Sequence, residues 1–279
     1  MRDGKPIKEE LKKIAELQLE AAFKGLRGKN VSPEPVHQAR TYIKKTRAII
    51  ELASQVLNNE ERLRMLGLLR EAAERLAPLR DSEVQVMTLD LFLEEEGLDP
   101  EDYAGIRAGL SDIAKQRRIN DSRQIPRVIE FLKKARDKVP DWHIGSLESK
   151  DIRHRIRRTY RRGRTTLDLC QINGDPELFH SWRKLLKQLW YSIRITSRFW
   201  PDKGVKMISE LEKIGDVAGK ERDLHLLLTT LQHGPKSKAT SHLIQVIREK
   251  LPILRQEATL AGLSFYEAKP KAFIAQLDL

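Results

Sequence analysis

SPEPVHQARTYIKKTR, residues 32–47, decides how the chain is read, because DPELFHSWRKLLKQLW, residues 175–190, repeats its design 143 positions later. Ser32-Pro33-Glu34 and Asp175-Pro176-Glu177 each place a capping residue, then proline in the first turn, then an acid that suits the positive end of the helix dipole. Past those starts both stretches carry His-x-x-Arg-x-x-x-Lys: His37, Arg40 and Lys44 in one, His180, Arg183 and Lys187 in the other. Downstream, Arg80-Asp81 meets Arg222-Asp223 at an offset of 142. Two short motifs that hold their separation to within one residue over 43 positions are hard to ascribe to chance. An internal duplication is the economical reading. The junction then falls near Pro140 to Ser149, a stretch with Pro, Gly and Ser and little apolar periodicity, giving a first helical bundle over 1–145 and a second over 146–279.

Outward from these two stretches, apolar residues recur at three- and four-residue spacing almost throughout, and alternating β-branched runs are scarce. The expected fold class is therefore all-α: two similar bundles of four helices. The periodicity predicts eight long helices, over about 5–27, 33–56, 60–96, 100–138, 150–170, 176–200, 203–232 and 237–262, with a short segment after Pro270. Pro78 lies inside the third and is expected to kink or split it.

Charge is unevenly placed. The chain carries 52 Lys and Arg against 40 Asp and Glu, a formal +12 in 279 residues, and residues 150–200 alone contribute +9. Such a surplus points toward a polyanionic partner without choosing one. The single cysteine, Cys170, excludes an internal disulfide and is expected in the core of a protein from a reducing cytoplasm. The first ten residues are charged and no stretch approaches the ~20 apolar residues of a membrane span, so a soluble intracellular chain with no membrane partner is expected.

On the helix from Pro33, His37, Arg40, Lys44 and Arg47 fall at i, i+3, i+7 and i+10 and form one stripe. Val36, Ala39, Ile43 and Ile50 form the apolar stripe beside it. In the second copy His180, Arg183, Lys187, Arg194 and Arg198 run beside Trp182, Leu186, Leu189 and Ile193. Like charges three and four apart on a helix repel by a few tenths of a kcal/mol per pair, a cost that a bound anion would offset. The densest basic segment, Arg153 to Arg164, has Ile152, Ile156, Tyr160, Leu167 and Cys170 as its buried stripe, with Gly163 on that line for close packing. Arg158 and Arg162 flank one side of it, and Arg157, Arg161 and Arg164 the other. The planar fork of arginine suits phosphate. Asp81 and Asp223 are expected to orient basic side chains through ion pairs rather than to catalyse.

Other readings stand beside this one. A basic stripe can be a solvated face neutralised by acids from neighbouring helices, and the two histidines can bond carboxylates across a helix interface. Glu34-x-x-His37 and Glu177-x-x-His180 also match the element of di-metal carboxylate bundles, although each acid is already explained by its place in the first turn and each histidine is followed by cations. Nucleic acid would offer the same phosphate charge, but aromatic residues are only 6% of the chain, and Trp182 and Trp200 fall on or near the apolar stripe rather than on a stacking platform. An adaptor that meets an acidic protein is a further possibility. No Gly-rich phosphate loop and no nucleophile with a base is present to suggest phosphoryl transfer, so neither an enzyme nor a cofactor is expected.

The repeated His-x-x-Arg-x-x-x-Lys, the Tyr160-Arg161-Arg162-Gly163-Arg164 run and the paired Arg-Asp together resemble the conserved histidine α-helical domain, or CHAD, family over nearly the whole chain. The resemblance implies two four-helix bundles about a pseudo-twofold axis, with a basic central groove or pore that binds inorganic polyphosphate without changing it. Carried over by position, it implies phosphate contacts from His37, Arg40, Lys44 and Arg47, and from Arg158, Arg162, His180, Arg183 and Lys187, with Arg80 and Arg222 beside them. Trp190 where the first copy has Arg47, and Gln188 where it has Lys45, depart from the pattern and make the second stripe less basic. Association with polyphosphate granules, and partnership with a triphosphate-tunnel phosphatase, whose Glu-x-Glu-x-Lys signature this chain lacks, are likewise implied by the resemblance.

Overall fold

Helix starts and stops are set locally. Asp175 Oδ1 accepts the Glu177 N–H at 2.9 Å, closing the N-terminus of α7 (Pro176–Thr196) as the sequence predicts. Ser32 holds the same position for α2 (Pro33–Leu52) with extended backbone, although its hydroxyl makes no capping bond. The two-residue turn into α7 depends on Gly174, which ends α6 (Ser149–Asn173) at φ 60°, a left-handed conformation that costs glycine little. The remaining helices are α1 (Ile7–Gly25), α3 (Asn59–Glu95), α4 (Ala104–Asp121), α5 (Ile125–Asp137), α8 (Pro201–His233), α9 (Lys238–Phe265) and α10 (Pro270–Gln276). This computed structural model describes residues 7–28, 31–197 and 201–277, with the side chains of Asn173 and residues 201–203 excepted; Arg198 and Trp200 lie outside the described residues.

The fold is all-α. The one β-type contact among the described residues is an isolated antiparallel bridge between Leu57 and Ile144. It ties the segment after α5 back onto the α2–α3 turn, where Gly145 N–H also donates to Val56 O at 3.1 Å and Trp142 is buried. No helix is long and apolar enough to cross a membrane among the described residues.

The helices depart from expectation at two prolines. The helix predicted over 100–138 is divided: Pro100–Tyr103 and Ser122–Gln124 are 3-10 turns that bracket α4. Pro126 has no N–H to give to the Ser122 carbonyl, so Ile125 N–H donates to it instead and the ladder tightens before α5 begins. Pro78, expected to kink or split its helix, does not split it: α3 runs unbroken through it, with the Ser82 hydroxyl donating to Pro78 O at 3.0 Å.

Within the first half α1 packs on α2 and α5, α2 on α3, and α3 on α4 and α5; within the second α6 packs on α7, α9 and α10, α7 on α8, and α8 on α9. Between the halves α2 meets α7, α3 meets α8, and α2 also touches α6. Each helix that carries one copy of a motif therefore lies against the helix that carries the other.

The predicted apolar stripes are core. Val36, Ala39, Ile43 and Ile50 on α2, Trp182, Leu186, Leu189 and Ile193 on α7, and Ile152, Ile156, Tyr160 and Leu167 on α6 are all buried, as is Cys170. Burial in apolar surroundings raises the Cys170 thiol to about 11. Buried side chains form two clusters, and both draw on both halves. The larger joins α1, α2, α5, α6 and α7 with the near ends of α3 and α8. The smaller joins the far ends of α3 and α8 to α4 and α9.

Candidate functional site

Because α2 and α7 face one another with their apolar stripes committed to the core, the adjacent stripes are brought together. The Lys44 side chain is exposed, yet its ammonium lies close enough to the surrounding protein to lose part of its hydration. Lost hydration, followed by repulsion from Arg40, Arg183, Arg80 and Lys187, pushes it down to about 8. Three helices thus converge on one ammonium: α2, α3 and α7.

Its neighbours carry the same signature. Burial lowers Arg40, partly offset by Asp81, and Arg80 lowers it further. Burial lowers Arg183, partly offset by Asp223, and Arg80 and Arg222 lower it further. Lys187 is lowered by burial and by Arg183, against Asp216, Glu212 and Asp223. His37 is lowered by burial and by Arg80, Lys44 and Arg40, against Glu34. His180 falls to about 4 through burial and the charges of Arg222, Lys184 and Arg183, so it is neutral at pH 7. The Nδ1 of His180 and the Nε of Arg183 are buried without a hydrogen-bond partner, a cost of about 1–3 kcal/mol for each such group unless a ligand or water meets it.

Local architecture explains how such groups are held. Arg40 donates to the Ala73 carbonyl on α3 at 2.7 Å, in the turn before Pro78. Opposite, Lys187 and Arg183 lie over Gly215 and Gly219 of α8, where an added Cβ would stand 3.1 Å from the Lys187 ammonium and 3.6 Å from a terminal Arg183 nitrogen. Ala73 and Ala77 precede this pair by the same 142 residues that separate the Arg-Asp motifs. This small-x-x-x-small spacing, legible in the sequence, marks where Arg40, Arg183 and Lys187 lie close against α3 and α8. Lys187 is further steadied over the buried Trp190, 5.4 Å from the ring centroid, with Arg194 on the same ring at 4.9 Å. The Trp190 departure thus supplies a cation–π partner where the first copy has Arg47.

The paired Arg-Asp motifs join the halves. Arg80 bonds Asp81 at 3.3 Å and reaches Asp223 across the α3–α8 contact at 3.7 Å, whereas Arg222 turns to Glu177 on α7 at 3.8 Å. Both aspartates face cations, as ion-pair partners would. The acids of the Glu-x-x-His elements have other partners: Glu34 accepts from Gln38 at 2.7 Å, and Glu177, largely exposed, pairs with Arg222. No group of three or more His, Cys, Asp and Glu is gathered for a metal ion among the described residues.

Arg158 and Arg162 lie apart from this cluster, in a recess of about 310 Å³ where α6 meets the C-terminal end of α2. Its other walls include Glu51, Arg62 and Arg155. Arg155 is anchored there, donating to the Glu51 carbonyl at 2.9 Å and to its carboxylate at 2.5 Å. Glu51 is two helical turns, roughly 10 Å, beyond Lys44 on α2. Arg47 is exposed on α2 between them. The predicted residues therefore fall into a central cluster of His37, Arg40, Lys44, Arg80, His180, Arg183, Lys187 and Arg222, and a second station of Arg158 and Arg162 along the same helix.

The family model for the CHAD domain matches residues 13–249. Among solved structures, PptA from Streptomyces chartreusis superposes with a TM-score of 0.65 at 14% identity, covering 95% of this chain and 100% of that one. The CHAD domain from the plant Ricinus communis superposes with a TM-score of 0.56 at 16% identity, covering 98% and 92%. A search of curated proteins by sequence returns no match.

Proposed function

Because the chain belongs to the CHAD domain family, we propose that it binds inorganic polyphosphate, without hydrolysing it, at the cationic cluster where α2 meets α7. The observation that carries this reading is the convergence on Lys44: Arg40 and Arg80 from the first half and Arg183 and Lys187 from the second all act on its ammonium, where α2 packs against α7 and α3 against α8. Burying and crowding cations is unfavourable in the free protein, and a flexible polyanion relieves it by charge-assisted hydrogen bonds and by releasing its condensed counterions. Arg40 and Lys44 on one wall and Arg183 and Lys187 on the other grip the chain. His37 and His180 offer ring N–H donors, and Arg80 and Arg222 exchange carboxylates for phosphate. The chain then follows α2 past Arg47 to Arg158 and Arg162. The two halves are related by duplication about a pseudo-twofold axis, which accounts for α2 meeting α7 and α3 meeting α8.

Binding without chemistry fits the inventory. Asp81 and Asp223, the acids that face Arg40 and Arg183, are engaged by Arg80. A cytoplasmic, granule-associated protein that works alongside a triphosphate-tunnel phosphatase is the setting this reading supplies. Buried Trp182, Trp190 and Tyr191 give no stacking platform for bases, which disfavours single-stranded nucleic acid. The test is competition at matched phosphate concentration: polyphosphate is expected to displace bound RNA or DNA, with no orthophosphate released. A preference for nucleic acid would reverse the assignment. Replacing Arg40, Lys44, Arg183 and Lys187 together by Ala is expected to abolish polyphosphate binding while the helical circular-dichroism signal survives; undiminished binding would place the site elsewhere.

A further inference from the structure

The outward flank of α6 carries a second recess, of about 520 Å³, that the central site does not use. His154, Arg157, Arg158 and Arg161 line it from α6, and Lys269 and Lys271 face them from the start of α10. The four α6 residues fall at i, i+3, i+4 and i+7, a stripe roughly 10 Å long on one helix face. Elsewhere on the surface cations are routinely matched, as in Arg107 with Asp90, Lys220 with Glu95 and Lys250 with Glu96. Among the described residues, none of the six side chains around this recess forms an ion pair with a carboxylate.

The opposition of α10 to α6 is built rather than incidental. The Tyr160 ring stacks on Phe273 of α10 at 3.9 Å between centroids, and its hydroxyl donates to Ala268 O at 2.9 Å, one residue before Lys269. Arg164 donates to the same carbonyl at 3.4 Å. Gly163 leaves the space that the Tyr266 hydroxyl fills, where any Cβ would collide with it. A buried aromatic cluster therefore fixes two lysines across from three arginines.

We propose that this recess is a second, exterior binding site for a short run of linked phosphoryl groups. Arg158 lines both this recess and the one beside Glu51, so α6 is the fence between them. The ligand's source is either the end of a long chain that leaves the central groove over α6, or a separate short oligophosphate. The first source rests on the central reading, and the second does not.

Calorimetry at low ionic strength with two probes, tripolyphosphate and long-chain polyphosphate, tests this in three full-length variants. One removes the exterior cations (Arg157→Ala, Arg161→Gln, Lys271→Ala), one removes the central four (Arg40, Lys44, Arg183 and Lys187 to Ala), and one combines them. Tripolyphosphate binding should persist in the central variant and vanish in the combined one. A tenfold or greater loss of long-chain affinity in the exterior variant alone would identify the exiting chain as the source; no loss would identify a separate oligophosphate. Loss of all tripolyphosphate binding in the central variant would overturn the exterior site and leave the central one standing. Long-chain affinity untouched by the central changes but abolished by the exterior ones would sink the central reading and keep this one. Circular dichroism on each variant separates lost binding from lost fold, and retained fold with binding unchanged in the combined variant would remove both sites.

Discussion

Lys44 is where chemistry and fold pull against each other. Its ammonium titrates at about 8 in the folded protein against an ordinary 10.5, so between those values the folded chain holds fewer protons than the unfolded one. Its contribution to stability is accordingly least below about pH 8 and rises as pH climbs toward 10.5. Binding has the opposite sense, because phosphate favours the charged form: affinity should be full below pH 8 and fall above it, accompanied by proton uptake at pH 8 that calorimetry in buffers of different ionisation enthalpy would reveal. Affinity unchanged between pH 7 and 9.5 would contradict the placement of Lys44 at the ligand. Lys44→Met should raise the melting temperature of the free protein while weakening binding, a trade between stability and function. His180, held near 4, is expected to work the lower window: protonation destabilises the free fold as pH falls from about 6.5, and a bound polyanion should cancel that loss. Melting curves at pH 7 and 5, with and without polyphosphate, check it. Which residues are basic was readable from the chain; that their hydration is lost together was not, because it depends on three helices converging.

The pairing of a basic with an apolar stripe on α2 and α7 follows from helical spacing alone, and the structure buries each residue assigned to the apolar side. Prolines were harder to read. Pro126 interrupts a ladder because its missing N–H falls where Ser122 needs a donor, while Pro78 is absorbed by a helix held on several sides by α2, α4, α5 and α8. Propensity is local, and the packing that overrides it is not. Close approach was also hidden. Gly262 of α9 admits the Trp182 indole and the Leu167 side chain, and an added Cβ would stand 2.7 and 2.9 Å from their nearest atoms. Gly262→Ala should therefore cost about 1–3 kcal/mol by overpacking, read as a lowered melting temperature with affinity unchanged in the protein that remains folded. A neutral effect would mean that α9 does not seat against α6 and α7 as described.

For the whole molecule, the repeated motifs point to a duplication, and what the structure adds is that the helices carrying the motifs touch, α2 with α7 and α3 with α8. The shared cores could not be foreseen, since periodicity tells which face is buried but not against which partner. Nor could the recess formed by α10, whose lysines gain meaning only from the aromatic contacts that place them. If one polyanion spans cations from both halves, its affinity should fall by on the order of 10³ to 10⁵ between about 50 and 200 mM salt for six to ten phosphate contacts, by analogy with duplex DNA. A shallow salt dependence would mean that few of these charges touch the ligand.

Whether the halves pool their cations is tested most directly by a thermodynamic cycle on long-chain polyphosphate affinity: Arg40→Ala with Lys44→Ala, Arg183→Ala with Lys187→Ala, and all four together, measured by calorimetry at low salt. A single shared cavity predicts that either pair alone removes most of the affinity and that the two losses are strongly non-additive. Losses that simply add, with each pair removing one of two equal and independent binding events, would show that the two basic stripes serve separate surfaces.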